Sequence, residues 1–194
     1  FWRSAAFTNP MAWALVLFFG LESMTFYATS TWFPTLLITK NFTLSSAAVA
    51  VSISGIIGSA VGIIFPDYFE KSNSQRAILI WTSLITGFAF FMITVQSGGI
   101  LFIWLTISNI GISISFPLAL MMAGMKSDTP EGTRNVSTMM QSIGYVLSST
   151  GPFFMATLFN ISGDWDVAMY GVVAICLLQA IASFIVGART KIPY

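Results

Sequence analysis

Charged residues in this chain are confined, with one exception, to its two ends and to short links between six long apolar stretches. That distribution constrains the fold more than any motif does. A soluble domain carries charge on roughly a quarter of its residues. Here 8% of the 194 residues are charged and 56% are hydrophobic, too little charge to solvate an ordinary surface. Runs of about 20 apolar residues match the length of a helix that crosses a hydrocarbon core, so lipid is the expected solvent. Glycine, serine and tryptophan recur inside the runs, as they do where helices pack without a hydrophobic force between them.

The expected architecture is an all-α membrane protein of six transmembrane helices, at residues 10–37, 44–66, 77–95, 100–122, 136–158 and 167–186. Pro10 suits a first helical position, where its missing N–H is not needed. The first block exceeds what a bilayer requires, which predicts tilt or a bend, and Pro34 predicts a break near its outer end. Asp67, Glu70, Lys71 and Arg76 form a charged link, and Gln96-Ser97-Gly98-Gly99 forms a turn. Lys126, Asp128, Pro130, Glu131 and Arg134 make a second charged link, and Asp164-Trp165-Asp166 separates the last two blocks.

An even number of spans puts both ends on one side. With the start inside, Arg3, Lys71, Arg76, Lys126, Arg134, Arg189 and Lys191 are cytoplasmic and Lys40 alone is outside. Lys and Arg in short loops resist translocation, so seven against one sets the orientation, with both ends of the segment cytoplasmic.

Several function classes drop out. The scattered basic residues form no patch for nucleic acid. Cys176 is the one cysteine and there is no histidine, so no metal set is expected, and no cofactor motif is present. No paired carboxylates, nucleophile–base pair or phosphate loop is found, so an enzyme is not expected. The chain begins at Phe1 with no cleavable signal before the first apolar block, which suggests a fragment.

Glu22 is the exception among the charges, deep in the first block. A carboxylate left in lipid is costly, so it should face the bundle interior, hold a proton or find a partner. It reads either as a proton-relay or substrate-contact group, or as an interhelical hydrogen bond that fixes packing. Tyr27 and Trp32 either line a central path or pack. Gln141 and Tyr145 share a face at i,i+4, as do Asn109 and Ser113; each pair can serve a cavity or a structural hydrogen bond. Gly58 and Gly62 form a small-xxx-small surface for close helix packing. Gly144 permits close approach, and Gly151-Pro152 predicts a bend or local unwinding. Asp67, Arg76, Lys126 and Arg134 serve either as a loop latch or as topology anchors.

At this point three segments support a family resemblance. They are NPMAWALVLFFGLESMTFYATSTWFPTLL at 9–37, SFPLAL at 115–120, and MQSIGYVLSSTGPFF at 140–154 followed by Gly163 and Trp165. Together they resemble the C-terminal six-helix half of a major facilitator superfamily permease, nearest the bacterial cyanate and 2-nitroimidazole transporters. The resemblance implies a twelve-helix permease with two halves around a central cavity, working by alternating access in the bacterial cytoplasmic membrane. Its partners would be the lipid bilayer, a small polar or anionic solute, protons, and the missing N-terminal half. Glu22 and Tyr27 would lie on the translocation path, with Gln141 and Tyr145 in the eleventh helix. Relatives often have Gln where this chain has Glu22, which raises proton involvement, and Arg where it has Lys126. A six-helix channel or carrier that oligomerises, or a membrane scaffold, are the alternatives.

Overall fold

The computed structural model describes residues 5–188 and 192, and all its regular elements are helical. Arg3, Arg189 and Lys191, three of the seven cations on the expected cytoplasmic side, lie outside the described residues. The Asn9 side chain accepts the Met11 N–H, and Pro10 opens α1 (Pro10–Thr39). Thr43 caps α2 (Leu44–Lys71) by accepting the Ser46 N–H. Then come α3 (Gln75–Val95) and, after a 3-10 turn at Gly98–Ile100, α4 (Leu101–Met125). Thr129 caps α5 (Pro130–Ser149), Gly163 at φ +72° ends α6 (Gly151–Ser162), and Asp164 caps α7 (Trp165–Val186).

Five of these helices, α1, α2, α3, α4 and α7, are long and apolar enough to cross a membrane. The block expected at 136–158 is instead two helices separated by Thr150 alone. Pro152 cannot donate to the Ser148 carbonyl, and the ladder is interrupted there. Other boundaries also move. No break occurs at Pro34, and α1 continues to Thr39. Phe33, Leu36 and Leu37 are buried around and beyond the proline, so packing holds the last turns despite one lost backbone bond. α2 runs past Pro66, which puts Asp67, Glu70 and Lys71 on the helix and leaves only Ser72–Ser74 as the link. Likewise Glu131 and Arg134 fall in the opening turns of α5.

α1 is the central element, packed most extensively against α5 and α7 and less so against α6, α4 and α2. α3 lies between α4 and α7, and α2 rests mainly on α4. Two apolar clusters form along α1. One gathers Leu15, Phe18 and Phe19 with Leu118, Met122 and Met140; the other gathers Phe33, Leu36 and Leu37 with Phe90, Leu105 and Val172. Between them α1 buries polar side chains instead: Glu22, Ser23 and Thr25.

The two ends of the bundle are tied differently. At one end Lys40 Nζ lies 2.9 Å from both carboxylate oxygens of Asp166 and donates to the Thr94 carbonyl at 2.8 Å. At the other, Lys126 Nζ donates to the Ala188 carbonyl, and the Ile192 N–H donates to the Lys126 carbonyl at 2.8 Å. There too, Arg76 Nε donates to the Phe184 carbonyl at 2.9 Å, with its guanidinium 4.1 Å above the Phe184 ring. Lys40 thus sits at the end opposite Arg76 and Lys126.

Candidate functional site

The polar stretch of α1 borders a half-open cavity of about 570 Å³ lined by four helices. α1 contributes Glu22, Ser23, Phe26 and Tyr27; α2 contributes Ser59, Gly62, Ile63 and Pro66. α4 adds Ile112, Ser113, Phe116 and Pro117, and α5 adds Tyr145. A smaller recess shares Tyr27 and Tyr145 with it and reaches Ser149 and Pro152 at the α5–α6 joint.

Close helix approach builds the walls. A Cβ on Gly58 would lie 2.7 Å from the Asn109 carbonyl oxygen, and one on Gly62 would collide with the Ser113 carbonyl. Both glycines are therefore required for α2 to seat on α4, and Gly62 also borders the cavity. Across the site, a Cβ on Gly144 would lie 2.5 Å from Phe19 Cδ1. The absence of that Cβ leaves room for the fully buried Phe19 ring. This ring in turn supports Tyr145 edge-on at 5.1 Å and Phe116 at 5.6 Å. Gly151 allows α6 onto α1, since a Cβ there would lie 2.5 Å from the Met24 carbonyl.

Two prolines interrupt the hydrogen-bond ladders of the walls. Pro66 lacks the N–H that the Gly62 carbonyl would accept in a regular helix, and Pro117 does the same for the Ser113 carbonyl. All four residues line the cavity.

Glu22 is 2% exposed. Its Oε2 accepts from Ser23 Oγ at 3.0 Å, and its Oε1 has no hydrogen-bond partner among the described residues. Leaving a buried carboxyl oxygen without a donor costs free energy, so the group is the least satisfied polar feature of the site. Phe26 and Tyr27 are half exposed and meet edge-on at 5.4 Å.

The remaining candidates fall elsewhere. Trp32 does not line the cavity; it donates to the Pro152 carbonyl at 2.9 Å and packs at a tilt against Trp165 at 4.9 Å. Asn109 donates to Ser54 Oγ at 3.1 Å and to the Leu105 carbonyl at 3.0 Å, tying α4 to α2. Gln141, one turn before Tyr145, is half buried and does not border the cavity. Asp67 is exposed, and neither it nor Arg76 forms an ion pair among the described residues. Arg134 pairs with Glu131 at 3.9 Å on the surface, and Lys126 is buried. Burial pulls the Lys126 ammonium below its ordinary pKa, with the nearby Arg76 charge adding to the effect. Ser23, Ser59, Phe116, Pro66 and Pro117 line the site without having been singled out as site residues. For the prolines the signal was available, as an in-helix proline frees a carbonyl.

The geometry finds its context in known proteins. The chain is 27% identical to the 2-nitroimidazole transporter of Escherichia coli (strain K12), over 98% of the chain and 47% of the relative. It is 28% identical to the transporter YycB of Bacillus subtilis (strain 168), over 92% and 45%. The chain resembles half of a bacterial permease. To the cyanate transport protein CynX of E. coli it is 26% identical, over 81% of the chain and 41% of the relative. It therefore spans about half the length of the curated relatives it matches. No protein-family model matches the chain, and no solved structure gives a significant match. The relatives are named as transporters, and the apolar helices agree with a multi-pass membrane protein.

Proposed function

We propose that this chain is the C-terminal six-helix half of a major facilitator permease that moves a small solute across the bacterial cytoplasmic membrane by alternating access, with proton coupling through Glu22. One observation carries the reading: a buried carboxyl group with an unpartnered oxygen stands in the wall of a cavity formed by α1, α2, α4 and α5. Intramembrane ionisable groups of this kind mark solute and proton pathways. A proton on Glu22 removes an uncompensated charge, and its release demands a new partner. Rocking of one half against the other supplies that change of surroundings.

Three further features support the reading. The relatives are about twice the length of this chain, as a two-half permease would be. α5 and α6 follow each other across Thr150, and on this reading the two together make one further span, the fifth in chain order. Interrupted helices at such sites expose backbone groups to the solute path. Lys40 lies at one end of the bundle, with Arg76 and Lys126 at the other. The positive-inside rule then puts the Arg76 end, and both ends of the segment, in the cytoplasm.

The test is proton flux in proteoliposomes holding the full-length protein and pyranine, with 2-nitroimidazole and cyanate as probes. Solute-driven acidification that is lost in Glu22→Gln, with folding and solute binding retained, is the expected result. Equal flux in both proteins removes Glu22 from coupling.

A further inference from the structure

A separate, half-open cavity of about 540 Å³ lies at the Arg76 end of the bundle. Ser72, Asn73 and Ser74 of the α2–α3 link border it with Gln75 and Arg76 at the start of α3, and Gly187 and Ala188 after α7 form the facing side. Neither α3 nor α7 lines the cavity beside Glu22, so this one stands apart from it, where α3 meets α7. Hydroxyl, amide and guanidinium donors surround it, and no carboxylate borders it among the described residues. We infer that it holds the phosphate of an anionic phospholipid, with an acyl chain laid along an exposed apolar stripe of α7. The assignment does not depend on what the chain transports.

Arg76 is held in place but not neutralised. A Cβ on Gly187 would lie 2.5 Å from Arg76 Cα, so that glycine lets the end of α7 close on α3. Arg76 Nε is spent on the Phe184 carbonyl, and its guanidinium carbon lies 4.1 Å from the centre of the Phe184 ring. The four remaining N–H groups of the fork meet no acceptor, and the side chain no carboxylate, among the described residues. Such a planar fork matches two oxygens of a phosphate. Lys126, whose ammonium feels the Arg76 charge, donates to the Ala188 carbonyl on the rim. A zwitterionic headgroup would bring its own ammonium toward these two cations, so net negative charge is favoured.

What makes the anion a lipid is Phe184. Its ring is exposed on α7 and shares a face with Ile181 and Leu177, one and two turns back, which are also exposed. On a helix long and apolar enough to span a bilayer, such a stripe meets acyl chains. The guanidinium lying on Phe184 therefore stands where hydrocarbon gives way to headgroups. Basic pockets between helices at that depth bind anionic headgroups. A free phosphate would occupy the polar cavity alone and leave the stripe unused.

The test is equilibrium binding of labelled phosphatidylglycerol and phosphatidylcholine to the full-length protein in dodecyl maltoside micelles. Phosphatidylglycerol is expected to bind at least about fivefold more tightly than phosphatidylcholine, at a saturable site. Arg76→Gln should remove that preference, and Arg76→Lys should keep only part of it, since the charge remains without the fork. Arg76 also packs on α7, so the exposed link position Asn73 gives a second route. Asn73→Asp puts a carboxylate in the wall and should weaken phosphatidylglycerol binding by at least about fivefold. Lys71→Gln, exposed on α2 and outside the cavity, should change it by less than about twofold. Equal binding of the two lipids overturns the assignment, as does a preference that survives Asn73→Asp or a folded Arg76→Gln. A loss in Lys71→Gln as large as in Arg76→Gln would reduce the effect to net charge and overturn it too. Glycerol phosphate that displaces the lipid at equal concentration would make this a site for soluble anions instead. Uptake of cyanate and 2-nitroimidazole into proteoliposomes separates the two readings. Uptake without the lipid preference removes the lipid site alone, and the lipid preference without uptake upholds the site and counts against transport.

Discussion

Replacing Gly58 by alanine places one methyl group where α2 meets α4, and Gly55 on the same helix supplies the control. A Cβ at Gly55 meets no atom within 4 Å, whereas one at Gly58 meets the Asn109 carbonyl oxygen and carbon at 2.7 and 2.8 Å and Ser113 Oγ at 3.0 Å. Two of these three atoms are backbone and cannot rotate aside. Restoring ordinary contact at 3.4 Å requires α2 to retreat by about 0.7 Å. Both substitutions remove a glycine from a helix interior, a gain of about 0.5–1 kcal/mol. Only Gly58→Ala also overpacks the interface, at a cost of about 1–3 kcal/mol. Gly55→Ala is therefore expected to stabilise the protein, and Gly58→Ala to be less stable than Gly55→Ala by about 1–3 kcal/mol. Unfolding of the two full-length variants in matched detergent, followed by tryptophan fluorescence, measures the difference. Equal stability, or a more stable Gly58→Ala, would refute the claim that α2 is seated by the absence of that side chain.

Trp32→Phe keeps an aromatic ring against Trp165 and removes the hydrogen bond to the Pro152 carbonyl, at about 0.5–1.5 kcal/mol. Amide hydrogen exchange at the α5–α6 joint should accelerate by up to about tenfold, and unchanged exchange would remove Trp32 as the tie across that joint. A Lys40→Met and Asp166→Asn double-mutant cycle should give a coupling of about 0.2–1 kcal/mol, since both side chains are partly exposed. Additive single effects would show the pair to be inert. Lys126 has a depressed pKa in the folded protein, so the unfolded chain binds more protons between that value and the ordinary lysine pKa. Thermal stability should accordingly rise with pH across that window, and the rise should flatten in Lys126→Met. A slope that survives the substitution assigns it to another group.

The helices were legible because lipid admits long apolar blocks and expels charge, and these are properties of the linear sequence. Their ends were not. Pro34 reads as a stop, yet Leu36 and Leu37 are buried beyond it and the helix goes on. Asp67 and Glu70 read as a link, but polar residues at the edge of a membrane can be helical without penalty, and α2 keeps them. Glu22 stood out because an ionisable side chain is rare within an apolar block. Ser59 and Phe116 did not, since serines and phenylalanines occur throughout such helices. Only the seating of Gly58 and Gly62 on α4 decides which of them turn toward Glu22. Asn109 and Ser113 share a helical face, but Ser54 captures the Asn109 amide, and only the serine reaches the cavity.

The central position of α1 has a consequence for the order in which the chain is made. Its two main partners, α5 and α7, both follow it, the first beginning roughly 90 residues after α1 ends. At roughly 5–20 residues per second, α1 leaves the ribosome about 5–20 s before either of them. It is also the least apolar of the five candidate spans, and it contains Glu22. During that interval the helix that ends up deepest in the protein is the one least suited to wait in lipid.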